Sequence, residues 1–294
     1  MRLLVTGLGG FVGQHVAVRC PDSMGLRADL RDPSAVLQAV KDCQPDAVIH
    51  LAAKSSVAES FRGYRVAFDV NLTGTCNLLE ALRHADFTGR FLFVGSGDVY
   101  GQVEESALPV TERYPTRPRN PYAASKVAAE AFVHQWAQNE SQFACMMTRS
   151  FNHTGPGQDR RFAIADFAAQ VAAIARGDQD PVLTVGDIDV TRDFTDVRDV
   201  VSAYFAILEG GRPGEIYNVC SGREISLRDV ITQMIDLVDV PIELVVDPAR
   251  LRRAEQRRMC GSSALLQHDT AWAPSYSLEQ TLRDTLAYWK DYRE

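Results

Sequence analysis

The sequence has no surplus of basic charge. Across 294 residues, 31 Lys and Arg stand against 38 Asp and Glu, a net charge of -7 at pH 7. A general nucleic-acid surface needs a basic stripe, so none is expected; the one dense basic run is Arg250 to Arg258, RLRRAEQRR. Long apolar runs are missing as well. None approaches the roughly 18 residues that span a bilayer, and the opening MRLLVTGLGGFVGQ meets its glycines too early for a secretory h-region. A cytoplasmic protein without membrane association is expected. Cysteine is sparse and scattered: Cys20, Cys43, Cys76, Cys145, Cys220 and Cys260 contain no CxxC and no metal-ligand spacing. Neither a disulfide framework nor a metal site is expected, and the thiols should be reduced and mostly buried. Repeats and low-complexity tracts are also lacking.

What is present is ample core material, with 46% of residues hydrophobic, in a length that suits one large or two intimately joined domains. Short continuous apolar runs, LLVT (Leu3 to Thr6), AVIHLA (Ala47 to Ala52), FLFVGS (Phe91 to Ser96) and ACMMTRS (Ala144 to Ser150), alternate with helical patterns at Phe11 to Arg19, Ser34 to Asp42, Ala67 to His84 and Tyr122 to Asn139. Uninterrupted apolar strands between helices indicate a parallel sheet covered on both faces. After about Phe151 the rhythm changes. Helical patterns near Ile164 to Arg176, Val197 to Glu209, Leu227 to Val238 and Leu278 to Tyr292 mix with short strands such as EIYNV and IELVV. The expectation is an α/β protein: a doubly wound parallel sheet over residues 1–150, and a smaller mixed α/β domain over 151–294, possibly interleaved with the first, with a substrate cleft between them.

Gly7, Gly10 and Gly13 in TGLGGFVG fall at three-residue intervals between a strand and a helix. Glycines so placed let backbone approach a pyrophosphate at the helix N-terminus. The usual acidic ribose ligand lies about 20 residues further on, but here the stretch CPDSMGLRADLRDP is too short for a normal second strand, loop and third strand. Asp29 and Leu30 are candidates to hold the adenine end, and Arg27 a candidate for a 2'-phosphate. NADPH and NADH both remain open.

Strand FLFV delivers Ser96 to the C-terminal edge of a parallel sheet, where open α/β sheets hold ligands. In NPYAASK, Pro121 suits a first helical position, so Tyr122 and Lys126 share a helix face. An ammonium there is expected to lower the phenol pKa and let Tyr122 exchange a proton with substrate. The plain alternative is a half-buried tyrosine beside a solvated lysine.

TGLGGFVG, HLAA (His50 to Ala53), SGDVYG, NPYAASK and RSFNHTGPGQ together resemble the extended short-chain dehydrogenase/reductase family of nucleotide-sugar enzymes, over nearly the whole chain. The resemblance implies a Rossmann-type fold with Ser96, Tyr122 and Lys126 catalytic and Asn71 in support. It implies cofactor contacts from Gly7, Gly10, Phe11, Val12, Gly13, Asp29, Leu30, Leu51, Ala52, Ala53, Tyr122 and Lys126. Substrate contacts fall to Ser96, Asp98, Asn152, Arg192, Asn218, Arg252 and Glu255, with His153 beside Asn152. The arginine forks of Arg192 and Arg252 suit a diphosphate, and Glu255 the hydroxyls of a ribose.

Dehydratases of this family carry an acidic pair after the catalytic hydroxyl residue; this chain has Gly97 and Asp98 there, which argues against elimination and for reduction. HLAAKSSV, GDIDVTRDFTDVRDV and DPARLRRAEQRR extend the resemblance to the family's reductases of GDP-linked 4-keto-6-deoxy sugars. A 4-epimerase, or a reductase of opposite C4 stereochemistry that forms GDP-6-deoxy-D-talose, would use the same three residues, and a catalytically silent NAD(P) sensor would need only the cofactor site. Val70, Leu78, Leu79, Phe132, Val133 and Trp136 read as apolar on more than one helix face, from which a homodimer through a four-helix contact is expected.

Overall fold

A computed structural model describes residues 1–139, 142–250 and 256–292. Its strands are β1 (Leu3–Thr6), β2 (Met24–Gly25), β3 (Ala47–His50), β4 (Arg90–Ser96), β5 (Ala144–Ser150), β6 (Asn152–Thr154), β7 (Val182–Val185), β8 (Thr191–Asp196), β9 (Ile216–Val219), β10 (Glu224–Ser226) and β11 (Glu243–Val246). The helices are α1 (Phe11–Arg19), α2 (Pro33–Cys43), α3 (Val57–Arg62), α4 (Tyr64–Phe68), α5 (Gly74–His84), α6 (Pro121–Asn139), α7 (Ala163–Arg176), α8 (Val197–Gly210), α9 (Leu227–Ile235), α10 (Ala264–Thr270) and α11 (Leu278–Asp291).

Six strands form one parallel sheet in the order β2-β1-β3-β4-β5-β9. Alternate residues of each strand feed opposite faces. Leu4, Val48, Phe91, Phe93, Cys145 and Met147 pack under α2, α5 and α6. Leu3, Val5, Ile49, Leu92, Met146 and Val219 pack under α1, α8 and α10. Burial on both faces explains why these strands read as unbroken apolar runs. This is the Rossmann-type arrangement. The short stretch before α2 yields only the two-residue β2, with no further strand between β2 and α2. The chain leaves β1 for β2 on one side and returns to β3 on the other, so the switch point of the sheet lies between the ends of β1 and β3.

α8 and β9, from the second half of the chain, are built into the layers of this large sheet. The remaining second-half elements form a three-stranded sheet, β10-β8-β6, and a two-stranded one, β11-β7, with α7, α9 and α11 packed around Leu183, Val185, Val230 and Trp289.

Two expectations need correction here. The helix expected over Ala67 to His84 is interrupted by a π-helical turn over Asp69–Thr73, whose extra residue per turn redirects the side chains around Asn71. The apolar residues expected to leave a second face open mostly serve the chain's own core: Leu78, Leu79, Val133 and Trp136 are buried there. The large apolar side chains exposed nearby are instead Phe61, Tyr64 and Val66, on α3 and α4. Among the described residues no helix is long and apolar enough to cross a membrane, no cluster of His, Cys, Asp and Glu is placed to hold a metal ion, and all six cysteines are free thiols.

Candidate active site

The glycine turn sits at the switch point, and three of its glycines are there for separate reasons. Gly7 has φ +76, and a Cβ on it would stand 3.0 Å from the Ala52 nitrogen. A Cβ on Gly10 would stand 3.2 Å from the Gly7 carbonyl oxygen. One on Gly13 would fall 2.4 Å from both the Gly7 and Leu8 carbonyl oxygens. The turn therefore excludes a side chain at Gly7 and Gly13 and leaves little room for one at Gly10, whereas Gly9 faces open space. Helices α2, α3, α8, α9 and α11 are capped by Asp32, Ser56, Asp196, Ser226 and Ser277 side chains. α1 instead begins at Gly10 with no side-chain cap and no acid in its first turn. Its first N–H groups and the positive end of its dipole thus suit an anion. A backbone turn closed to side chains at Gly7 and Gly13, opening onto an uncapped helix, fits a dinucleotide pyrophosphate. Phe11 and Val12 follow in the first turn, and Phe11 stacks on His153 with ring centroids 6.1 Å apart and planes 3° apart. Leu51, Ala52 and Ala53, half-buried, continue from β3 alongside Gly7.

The adenine-end candidates separate. Asp29 is exposed, and its carboxylate grips the Arg31 guanidinium. That grip holds its pKa at about 2. Leu30 is a core residue, packed over Gly74 with its carbonyl taken by Asn77 at 2.8 Å. Arg27 is exposed.

Ser96 ends β4, and its Oγ accepts the Asp98 N–H at 3.2 Å. Tyr122 and Lys126 lie one turn apart near the start of α6. The Lys126 Nζ donates to the Val94 carbonyl at 2.8 Å and stands 4.8 Å from the Phe93 ring centre. Burial pulls its pKa down to about 7. Tyr122 moves the other way: burial raises its phenol above the ordinary value, the nearby Asp98 carboxylate adds to the rise, and a hydrogen bond from Ser96 works against it. The expected lowering by Lys126 is therefore overturned, because both groups are enclosed and a lysine that lets go of its proton near neutrality exerts little pull on a phenol. Ser96 and Asp98 are joined at the end of β4, and both are near enough to Tyr122 to influence its phenol.

Asn71, buried in the π turn, accepts the Lys54 N–H at 2.8 Å and donates to Ser125 Oγ at 2.8 Å. Ser125 in turn donates to the Tyr122 carbonyl at 2.7 Å. Gly97 lies against Phe151, where a Cβ would stand 3.2 Å from the ring. Asn152 is exposed on β6, opposite Phe194 of β8 and two positions beyond Arg192 in that register. Arg192 donates to the Thr191 carbonyl at 2.7 Å. Asn218 is a correction: it is fully buried, its amide oxygen takes the Tyr100 hydroxyl at 2.6 Å, and its NH₂ serves the Val110 and Ser262 carbonyls. With every polar atom engaged it braces the loop over Tyr100 and offers nothing to a ligand. Arg252 and Glu255 lie outside the described residues.

The sequence reading passed over Thr6, His50, Thr75 and Ser125. The available signal was polar residues closing otherwise apolar strands, Thr6 after LLV and His50 after AVI.

A family model described as GDP-mannose 4,6 dehydratase matches residues 18–285. GDP-6-deoxy-D-mannose reductase of Pseudomonas aeruginosa is 48% identical over 297 residues, covering 98% of this chain and 97% of that protein. Among solved structures, RMD from Pseudomonas aeruginosa complexed with NADPH superposes with a TM-score of 0.92 at 46% identity, covering 98% of each chain. UDP-glucose 4-epimerase of Thermus thermophilus complexed with NAD gives 0.86 at 30% identity, covering 99% of each. The chain belongs to the extended short-chain dehydrogenase/reductase family of nucleotide-sugar enzymes.

Proposed function

We propose that this chain is an NADPH-dependent reductase of the C4 ketone of GDP-4-dehydro-6-deoxy-D-mannose, giving GDP-D-rhamnose. The observation that carries the reading is the placement of Ser96 at the end of β4 and of Tyr122 and Lys126 one turn apart at the start of α6, on the edge where open α/β sheets hold ligands. Tyr122, a phenol that keeps its proton at neutral pH, can then donate it to a nascent alkoxide. Ser96, hydrogen-bonded to the same phenol, is placed to polarise the ketone oxygen. The chemistry supplied by the bound cofactor is a hydride to C4. Gly97, pressed against Phe151, occupies the place where the family's dehydratases carry one of two carboxylates, so elimination lacks half of its acid–base pair.

The 48% identity to GDP-6-deoxy-D-mannose reductase over nearly the full length supports the substrate. The neighbour complexed with NADPH supports the cofactor. So does the segment 27–31: Arg31 neutralises Asp29, which would otherwise repel a 2'-phosphate, and Arg27 adds a second cation there. Residues 1–150 then carry cofactor and chemistry, and 151–294 the nucleotide sugar, with Asn152, Arg192, Arg252 and Glu255 toward the GDP end. Binding energy there orients a ketone far from it. The exposed Phe61, Tyr64 and Val66 favour a homodimer through α3, α4 and α6, in a cytoplasmic enzyme. The test supplies NADPH with the GDP-, UDP- and dTDP-linked 4-keto-6-deoxy sugars in turn and follows cofactor oxidation. Rapid turnover of the GDP sugar alone is expected; turnover only of another nucleotide's sugar refutes the guanine assignment.

A further inference from the structure

A chain of buried polar groups, none of them among the three residues of the reaction, joins the cofactor turn to the helix that carries Asn71. Thr6 and His50 close β1 and β3 directly opposite one another, and each is 1% exposed. The Thr6 Oγ1 receives the Ala52 N–H at 3.1 Å and lies 2.6 Å from His50 Nδ1. On the other side of the ring, His50 Nε2 lies 2.9 Å from Thr75 Oγ1, and Thr75 donates to the Asn71 carbonyl at 2.6 Å.

Elementary chemistry fixes the direction of every link. A carbonyl only accepts, so Thr75's single proton goes to Asn71, and Nε2 must donate to Thr75. Burial, with the Lys126 charge adding to it, pushes the His50 pKa down to about 3. The ring is therefore neutral, Nδ1 is bare, and it takes the Thr6 proton. Thr6 is then free to accept from Ala52, whose nitrogen stands at the point where a Cβ on Gly7 would collide. Thr75 similarly holds the carbonyl of the residue whose amide reaches Lys54 and Ser125.

We propose that His50 is a positioning residue: as the Nε2–H tautomer it locks the Gly7–Ala52 contact of the cofactor turn to the π turn that holds Asn71 on Ser125 and, through Ser125, braces the backbone of Tyr122. A valine or leucine at this place fills space with no polar atom, and a serine hydroxyl, although it can both donate and accept, is too short to span from Thr6 to Thr75 as the two ring nitrogens do.

The two amide replacements each keep one half. His50→Asn places an oxygen near Nδ1 for Thr6 and reaches nothing at Thr75; His50→Gln places an N–H near Nε2 for Thr75 and loses the acceptor for Thr6. His50→Asn should therefore bind NADPH as the parent does, by fluorescence titration, and lose about tenfold in kcat, whereas His50→Gln should weaken NADPH binding about tenfold with the smaller loss in kcat. Thr75→Val should follow His50→Asn, and Thr75→Ser should restore the parent values. In histidine-labelled protein, nitrogen NMR at pH 7 should find His50 Nδ1 bare and Nε2 protonated. Equal changes in both quantities for the two His50 variants, no change in either, or an Nδ1–H tautomer overturns the proposal. Should the His50 variants not fold, the Thr75 pair and the NMR of the parent protein decide. The kcat arm rests on the reductase reading above; if the parent protein leaves the keto sugar untouched, that reading fails while NADPH titration and NMR still judge His50.

Discussion

Replacing Lys126 with methionine should stabilise the cofactor-free protein while removing a group that the proposed chemistry uses. Lys126 is 3% exposed, and burial lowers its pKa from 10.5 to about 7. In the unfolded chain the amine keeps its proton up to about pH 10.4; in the folded chain it releases it near 7. Between those values the unfolded chain binds more protons, so stability from this group rises with pH across that window, and below it the buried charge is carried in full. At about 1.4 kcal/mol per pH unit the penalty near pH 6.5 to 7 is about 4–5 kcal/mol. Methionine removes it. The substitution also leaves the Val94 carbonyl without its 2.8 Å donor, at about 1–2 kcal/mol, and gives up the attraction to the Phe93 ring, at about 1 kcal/mol. A net gain of about 1–3 kcal/mol at pH 7 remains, shrinking toward zero by about pH 9 to 10. Urea unfolding of the cofactor-free parent and of Lys126→Met at pH 6.5 and 9.5 measures it. A variant less stable at both pH values, or a difference that pH leaves unchanged, refutes the reasoning.

Tyr122→Phe removes one hydroxyl, so kcat should fall roughly 10²- to 10⁴-fold while NADPH affinity and melting temperature hold; full kcat would remove Tyr122 from the chemistry. Gly13→Ala puts a Cβ 2.4 Å from two backbone oxygens, which nothing flexible relieves, so calorimetry should register a loss of about 1–3 kcal/mol and titration a collapse of NADPH affinity. Arg149 and Glu130 form a buried bidentate pair at 2.9 and 2.7 Å, the guanidinium lying 4.8 Å from the Tyr100 ring centre. Arg149→Met leaves a buried carboxylate and should cost about 3–5 kcal/mol, most of it recovered in the double variant with Glu130→Leu; additive losses in denaturant would contradict the pairing.

The parts of this molecule legible in its sequence are those governed by local rules. β1 and β5 coincide with their apolar runs because both faces of a parallel strand are buried. α1 and α6 start where the glycines and Pro121 say. Ser96 and Tyr122 come near one another because one ends a strand and the other opens a helix on the same edge of the sheet.

What stayed hidden depends on distant neighbours. The π turn at Asp69–Thr73 differs from an α-helix only in which carbonyl each N–H selects, and the pattern around VNLTGT carries no mark of that. The rise in the Tyr122 pKa comes from enclosure, not from the lysine one turn away. Asn218, in a segment that resembles a ligand motif, is sealed by Tyr100, Val110 and Ser262, all more than forty positions distant. His50 looks like an interruption of an apolar strand until Thr6 and Thr75 are brought to its two nitrogens.

The central claim is that this chain delivers hydride to C4 of a sugar ketone and a proton to its oxygen, setting the rhamnose configuration at the new centre. Its most direct test is a reaction of the purified protein with GDP-4-dehydro-6-deoxy-D-mannose and NADPH carrying deuterium at both positions of the transferring carbon, followed by NMR of the product. The account predicts deuterium at C4 of a rhamnose-configured GDP sugar, formed at a rate that Tyr122→Phe lowers at least about a hundredfold. Deuterium at C4 of a talose-configured sugar, or a product without deuterium, would contradict it.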